Sequence, residues 1–253
     1  MTTTTTPIQT QHEPQLIGQT VVVIGGSAGI GLETARLART EGAEVVLAAR
    51  DPERLKRAAD EVGARTTAAF DATDPAALKR FFDGLPDPID HVLVTGPGPS
   101  YGPLLEMDAD QVRDELAGHV VLALDVARNG APRMRPGGTL LFMGGTGGRR
   151  ISRQLGLASA ATAVLPPFTA ALALELAPVR VNLIAAGFVD TPLSASYFSK
   201  EGLEARREEL RATLPIGRVV GPADVAALAV HIMTNTALTG ATYDIDGGQQ
   251  FVA

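Results

Sequence analysis

The run TVVVIGGSAGIGLETAR at 20–36 constrains the fold more than any other part of the chain. Its β-branched start favours a strand, its glycines a tight turn, and its end a helix. Gly25, Gly29 and Gly31 fall in the pattern GxxxGxG between the two. Glycine there admits backbone angles costly for other residues and lets the main chain approach an anion closely. The N–H groups of the helix start then face that anion, with the helix dipole behind them. The expected ligand is the pyrophosphate of a dinucleotide, with Ser27 adding a hydroxyl donor. An ordinary glycine-rich turn is the alternative, which the flanking strand and helix argue against.

Apolar runs continue along the chain at 43–49, 65–70, 90–95, 138–144, 179–186 and 241–246. Being continuous rather than alternating, they predict a sheet covered on both faces. Helical segments separate them, as in DPERLKRAADEVG, where Asp51 can cap and Gly63 can stop the helix. This alternation predicts a single α/β domain over 18–253: a Rossmann fold with a doubly wound, parallel sheet flanked by helices. Residues 1–17, with a threonine run and two prolines, are expected to form a flexible tail.

A net charge of −6 disfavours nonspecific binding to nucleic acid or an anionic membrane. With no cysteine, disulfides, thiolate ligands and a cysteine nucleophile are excluded. His12, His91, His119 and His231 lack metal-ligand spacing, so no metal site is expected. No apolar run reads as long enough to cross a bilayer and no signal peptide is recognised, so a cytoplasmic location is expected.

At the end of the second strand, a carboxylate would grip the free ribose 2′-hydroxyl of NAD. Ala49 stands at that position and Arg50 follows. A guanidinium can pair with the 2′-phosphate of NADP and stack on adenine, which favours NADP. Arg50 can equally be a surface residue, and Asp51 can cap a helix or repel the phosphate. Asp71 can accept from the adenine amino group or serve as a turn residue.

From Gln19 onward the chain resembles the short-chain dehydrogenase/reductase family. The resemblance rests on the glycine loop, Asp71, LVTGPG at 93–98, RVNLIAAGFVDTP at 180–192, GRVVGPADVAALAVHIM at 217–233 and TGATYDIDGG at 239–248. It implies a seven-stranded sheet, dimers or tetramers, and an oxidoreductase acting on a carbonyl or alcohol. It also places Ile30, Ala72 and Gly96 along the cofactor, and Gly187, Val189 and Thr191 at its nicotinamide end.

The family's chemistry uses a tyrosine as proton donor, a lysine four residues later, a serine thirteen residues before the tyrosine, and an asparagine. Counting back from LALELAP at 172–178 puts Ala158 at the tyrosine position, Thr162 at the lysine position and Gly145 at the serine position. Counting back from APRM at 131–134 puts His119 at the asparagine position. Alanine cannot transfer a proton, and threonine carries no charge to depress a neighbour's pKa. The tyrosines at 101, 197 and 243 have no lysine four residues on, so no change of register restores the pair.

Tyr101, His119 and Arg150 are the candidate substitutes, with Arg149, Ser152 and Arg153 beside Arg150 in sequence and Tyr197 in the segment after Thr191, which the resemblance implies is a lid. Each also has a plain structural reading: a packed histidine, a loop anchor, a solvated arginine. Three functions stay open: an NADP-dependent oxidoreductase with a different proton donor, a noncatalytic NADP(H)-binding sensor or partner subunit, and a lyase or isomerase using the same pocket. Two prolines in LPPF at 165–168 predict a kink or late helix start. The segment AALALELA is expected to be a helix packed on two sides, buried or at a subunit interface.

Overall fold

The computed structural model describes residues 13–149 and 153–252. Seven strands form one parallel sheet in the order β3-β2-β1-β4-β5-β6-β7. They are β1 Thr20–Ile24, β2 Glu44–Ala49, β3 Thr66–Ala69, β4 Ile89–Val94, β5 Met134–Gly145, β6 Arg180–Ala186 and β7 Thr242–Ile245. All seven expected runs are strands. Helices α1 Gly29–Thr40, α2 Pro52–Val62, α3 Pro75–Asp83, α4 Ala109–Leu116 and α5 Leu122–Gly130 lie in the first half. The second half adds α6 Gly156–Ala163, α7 Leu165–Glu175, α8 Pro192–Ala195, α9 Lys200–Thr213 and α10 Pro222–Thr234.

Strand periodicity divides the interior into two cores. In β1, Val22 and Ile24 face a core that includes Leu78, Phe82, Val126 and Leu172. Val21 and Val23 face the other, with Ala35, Ala38, Val225 and Ala229. Helices α3, α5 and α7 therefore cover one face, and α1 and α10 the other. Both faces are dry, which is why the strands read as unbroken apolar runs.

Two expectations need correction. Leu16 belongs to the second core, fully buried, and its amide donates to the Glu41 carbonyl at 2.9 Å. The expected tail therefore extends too far, because the two-residue apolar pair Leu16–Ile17 is too short to carry a periodic signal. Residues 1–12 lie outside the described residues. Second, the apolar stretch Gly156–Glu175 does have the length and hydropathy (mean 1.6) of a membrane span. It is split at Val164, and its buried side chains, Leu165 and Leu172 among them, pack against the sheet in the first core. Pro166 and Pro167 fall in the first turn of α7, where their missing N–H groups cost no hydrogen bond. The expected late start is thus found.

Arg180, at the start of β6, is buried and donates to the carbonyls of Gly137, Ile232, Met233, Asn235 and Leu238 at 2.8–3.1 Å. It satisfies carbonyls at and just beyond the C-terminal end of α10, where the helix dipole favours a cation.

His91 is buried in β4, with Nε2 2.7 Å from Gln19 Oε1 and Nδ1 without a partner. Burial, then the Arg180 charge, pushes its pKa down from 6.5 to about 3. The folded protein holds it neutral while the unfolded chain takes up a proton below pH 6.5. Its contribution is therefore present above that pH and is lost progressively on acidification towards pH 3. The expected loss is at most about 1.4 kcal/mol per pH unit. Urea unfolding of the protein and of His91→Asn between pH 7 and pH 4 checks this: the wild type should lose its advantage as pH falls.

Candidate functional site

Strand order reverses between β1 and β4. The loops after these neighbouring strands lead to opposite faces and leave a crevice at the carboxyl ends, where open α/β sheets bind ligands. The Gly25–Ala28 turn and the Thr95–Tyr101 loop border it.

The first turn has the geometry that a pyrophosphate requires. Gly25 and Gly29 have φ of +89° and +54°. A methyl on Gly31 would collide with the Gly25 carbonyl, and one on Gly25 with the Thr95 hydroxyl. Ala28 precedes α1 and offers no side-chain cap. The amides of Gly29, Ile30 and Gly31 therefore have no acceptor within the helix and are available to an anion. Ser27 lies half-buried in the same turn.

At the end of β2, Arg50 is exposed. Asp51 is turned away into a helix cap: it accepts from the Arg54 amide at 2.9 Å and pairs with that side chain at 3.2 Å. Asp71 Oδ1 accepts from the Thr73 amide at 2.9 Å and from the Thr73 hydroxyl at 2.8 Å. These bonds hold its carboxyl below the usual pKa, with Arg50 adding to the effect. Asp71 is thus a turn residue, and its charge lies within reach of Arg50. Ala72 beside it packs on the first core.

Gly96 has φ +65° and open space beyond it. A side chain on Gly187 would meet Asp246 Cβ and Gln249 Oε1 at 2.6 Å. Val189 bridges Val220. Thr191 caps α8, its hydroxyl accepting from the Ser194 amide at 3.3 Å. Its side chain also lies where a Cβ on Gly29 would touch it, at 3.3 Å. Thr191 is thereby brought to the phosphate turn from a residue 162 positions away in sequence.

The four positions singled out for proton chemistry are also accounted for. A Cβ on Gly145 would touch Thr162 Cγ2 at 3.4 Å, so the end of β5 and α6 meet there. Thr162 Oγ1 donates back to the Ala158 and Ser159 carbonyls, at 2.9 and 3.2 Å. Ala158 is buried. Ser159 Oγ donates to the Gly147 carbonyl at 2.7 Å. The small residues of α6 let the turn after β5 close directly onto the helix. His119 sits in a π-helical turn, Ala117–Val121, between α4 and α5, with Nδ1 2.8 Å from the Glu115 carbonyl. It borders a cavity of about 20 Å³ lined also by Gly96, Gly118 and Met143.

Tyr101 stacks edge-on against Tyr197 with centroids 4.9 Å apart. Burial above all pushes Tyr101 up to about pKa 12, with Tyr197 and Glu115 adding to it. Tyr197 follows α8, and its hydroxyl lies against Gly98. Arg207 holds α9 to the loop after β6 through two bonds to Asp190, at 2.8 and 2.9 Å. Arg149 is drawn to Asp244 and Gln250 near β7, so it is not a free substrate ligand. Arg150 and Ser152 lie outside the described residues, and Arg153 is exposed. Sequence reasoning missed Glu115. It reads as an ordinary charge on an amphipathic helix, but its side chain is 3% exposed and accepts from the Ser100 amide at 3.0 Å.

Residues 25–250 match the family model described as enoyl-(acyl carrier protein) reductase. The chain belongs to the short-chain dehydrogenase/reductase family. It is 31% identical over 250 residues to an uncharacterized oxidoreductase, MT0954, of Mycobacterium tuberculosis (strain CDC 1551 / Oshkosh), covering 94% of each chain. It is 27% identical to the short-chain dehydrogenase/reductase ATR9 of Stachybotrys chlorohalonatus (strain IBT 40285), covering 93% of this chain and 98% of the relative. Among solved structures, a small-chain dehydrogenase in complex with NADPH superposes with a TM-score of 0.79 at 25% identity, covering 92% and 99% of the two chains. BdcA in complex with NADPH gives 0.83 at 26%, covering 92% and 95%.

The glycine turn yields a direct test for this family member. Gly31→Ala places a methyl against main chain that has no freedom to retreat. It should cost about 1–3 kcal/mol, the range for overpacking, and thermal unfolding should show a lowered midpoint.

Proposed function

We propose that this chain is an NADP(H)-binding oxidoreductase acting on a carbonyl-like or alcohol-like substrate without the family's tyrosine–lysine pair. The observation that carries the cofactor assignment is the uncapped start of α1 behind three glycines, with Arg50 at the end of the next strand. Gly29, Ile30 and Gly31 would present amides to the pyrophosphate, and Ser27 its hydroxyl. Arg50 would meet the 2′-phosphate, since Asp51 is committed to Arg54. Asp71, Ala72 and Gly96 would border the adenine and ribose, and Gly187, Val189 and Thr191 the nicotinamide. The NADPH complexes of two similar structures support this reading. Bound NADPH would supply a hydride.

The chain's own residues set the remaining chemistry. Gly145, Ala158 and Thr162 offer no proton: one lacks a side chain, one has only a methyl, and the third spends its hydroxyl on its own helix. His119 and Tyr101 are the candidate groups, His119 beside Met143 and Gly96 in the small cavity and Tyr101 in the loop after β4. His119 Nδ1 is held by the Glu115 carbonyl, and the residue borders the adjoining cavity. Tyr101, with its pKa near 12, stays protonated at neutral pH and can only donate.

A second reading, a noncatalytic NADP(H) sensor or partner subunit, is favoured by Tyr197, whose hydroxyl lies against Gly98 and covers that side of the crevice. NADPH oxidation across a panel of carbonyl compounds, lost in His119→Ala or Tyr101→Phe, is the outcome expected of the oxidoreductase. Tight NADPH binding with no turnover on the panel would leave the sensor. We also infer a homo-oligomer, supported by Leu174 of α7, which is 83% exposed on an otherwise apolar helix.

The cofactor preference has its own measurement. Arg50→Ala should weaken NADPH by about tenfold or more and leave NADH nearly unchanged, as loss of one charge-assisted bond predicts. Fluorescence titration of both nucleotides reads the ratio; an unchanged ratio would remove Arg50 from the site.

A further inference from the structure

Glu115 is the feature that neither the fold nor the cofactor explains. Its side chain is buried, and Oε2 accepts the single Ser100 amide. Oε1 is wholly buried and has no hydrogen-bond partner. No lysine or arginine pairs with it among the described residues. The nearest group able to carry positive charge is His119, with Nδ1 3.9 Å from Oε1. That nitrogen is already 2.8 Å from the Glu115 main-chain carbonyl. A buried carboxylate with one bond and no counter-charge is costly to keep, and a cation placed beside Oε1 would offset that cost.

Its surroundings indicate which ligand. Glu115 Oε2 accepts from the amide of Ser100, the residue before Tyr101, and Tyr101 forms an edge-on pair with Tyr197 at 4.9 Å; burial raises both phenol pKa values, and the Glu115 charge adds to it. A carboxylate beside aromatic faces is the combination that recognises an ammonium or iminium group: the carboxylate supplies the charge and the rings supply quadrupoles. Arg206, the guanidinium whose field reaches Tyr101, is paired with Glu209 at 2.8 Å and stands 5.9 Å over Phe188. Its charge is therefore already partnered.

We propose that Glu115, with Tyr101 and Tyr197, forms a recognition site for the cationic nitrogen of a small amine or iminium substrate. The ligand takes its place between the rings and Oε1 as Tyr197, on the segment following α8, lifts away from Tyr101. The inference rests on the proposed function in taking this side of the crevice as the substrate side. It also gives the empty row at 145, 158 and 162 a reason. An iminium carbon that took the hydride of bound NADPH would pass its C=N π pair to nitrogen and leave a neutral amine, so that step would need no proton from the protein.

The test uses the full chain, piperidinium as probe and tetrahydropyran as its neutral counterpart of the same ring size. Tyr101 and Tyr197 are two of only three tyrosines and there is no tryptophan, so intrinsic tyrosine fluorescence reports the site directly. Calorimetry supplies the affinities. Piperidinium should bind about tenfold or more tighter than tetrahydropyran, and Glu115→Gln should remove that difference. Tyr197→Leu, a change at a partly exposed position, should weaken piperidinium several-fold and serves if Glu115→Gln does not fold. Equal binding of the two rings by the wild type overturns the proposal, as does wild-type piperidinium affinity in the folded Glu115→Gln protein or in Tyr197→Leu. NADPH titration of the same samples reads the cofactor assignment separately: its failure would sink the proposed function and leave the amine result to stand or fall alone.

Discussion

The contact between Gly31 and the Gly25 carbonyl governs how this molecule is assembled. Because no side chain intervenes, α1 starts directly against the end of β1. That close approach aims the uncapped amides of α1 across the crevice and seats Ala35 and Ala38 in the second core. β1 lies inside the sheet at the point where strand order reverses, paired to β2 on one side and β4 on the other. The position of α1 thereby determines where the carboxyl ends of three strands face a ligand.

From this fixed centre outward, the crevice is built from progressively more distant segments. Thr191 reaches Gly29 from beyond β6, and Gly187 is pressed against Asp246 and Gln249 beyond β7. Arg207 ties α9 to the same loop through Asp190. Arg180 holds the far end of β6 to the carbonyls that close α10. The two arginines are polar ties between elements far apart in sequence, and loss of Arg180 would leave buried carbonyls of α10 unsatisfied. The crevice is thus braced by segments that meet only in the folded chain.

The side of the crevice around α6 follows a different logic. At the end of β5 the packing is tight and small: Gly145, Gly147, Gly148, Ala158 and Ala163 let the turn after β5 lie on α6. Charge and aromatic surface are instead found one turn before His119, in Glu115 and the two tyrosines. The π-helical turn at Ala117–Val121 joins this cluster to α5, in keeping with the tendency of such irregular turns to mark functional segments.

The glycine spacing, the seven apolar runs and the order of motifs were enough to determine a doubly wound sheet and the place of the phosphate turn. Local chemistry carries that information: β-branched runs form strands, and only glycine fits where main chain meets main chain. The identities of His119, Gly145, Ala158 and Thr162 were also legible, at fixed distances from the segments at 131–134 and 172–178. Tertiary structure decided the rest. That Leu16 is core, that Asp51 serves α2 and Asp71 its own turn, and that Arg149 is spent on Asp244 depend on neighbours brought together by folding. Glu115 shows the limit most clearly. In sequence it is one acid on an amphipathic helix. Only the fold removes it from water, gives it a single bond and sets it near two aromatic rings, because burial and counter-charge belong to the assembled structure and not to the residue.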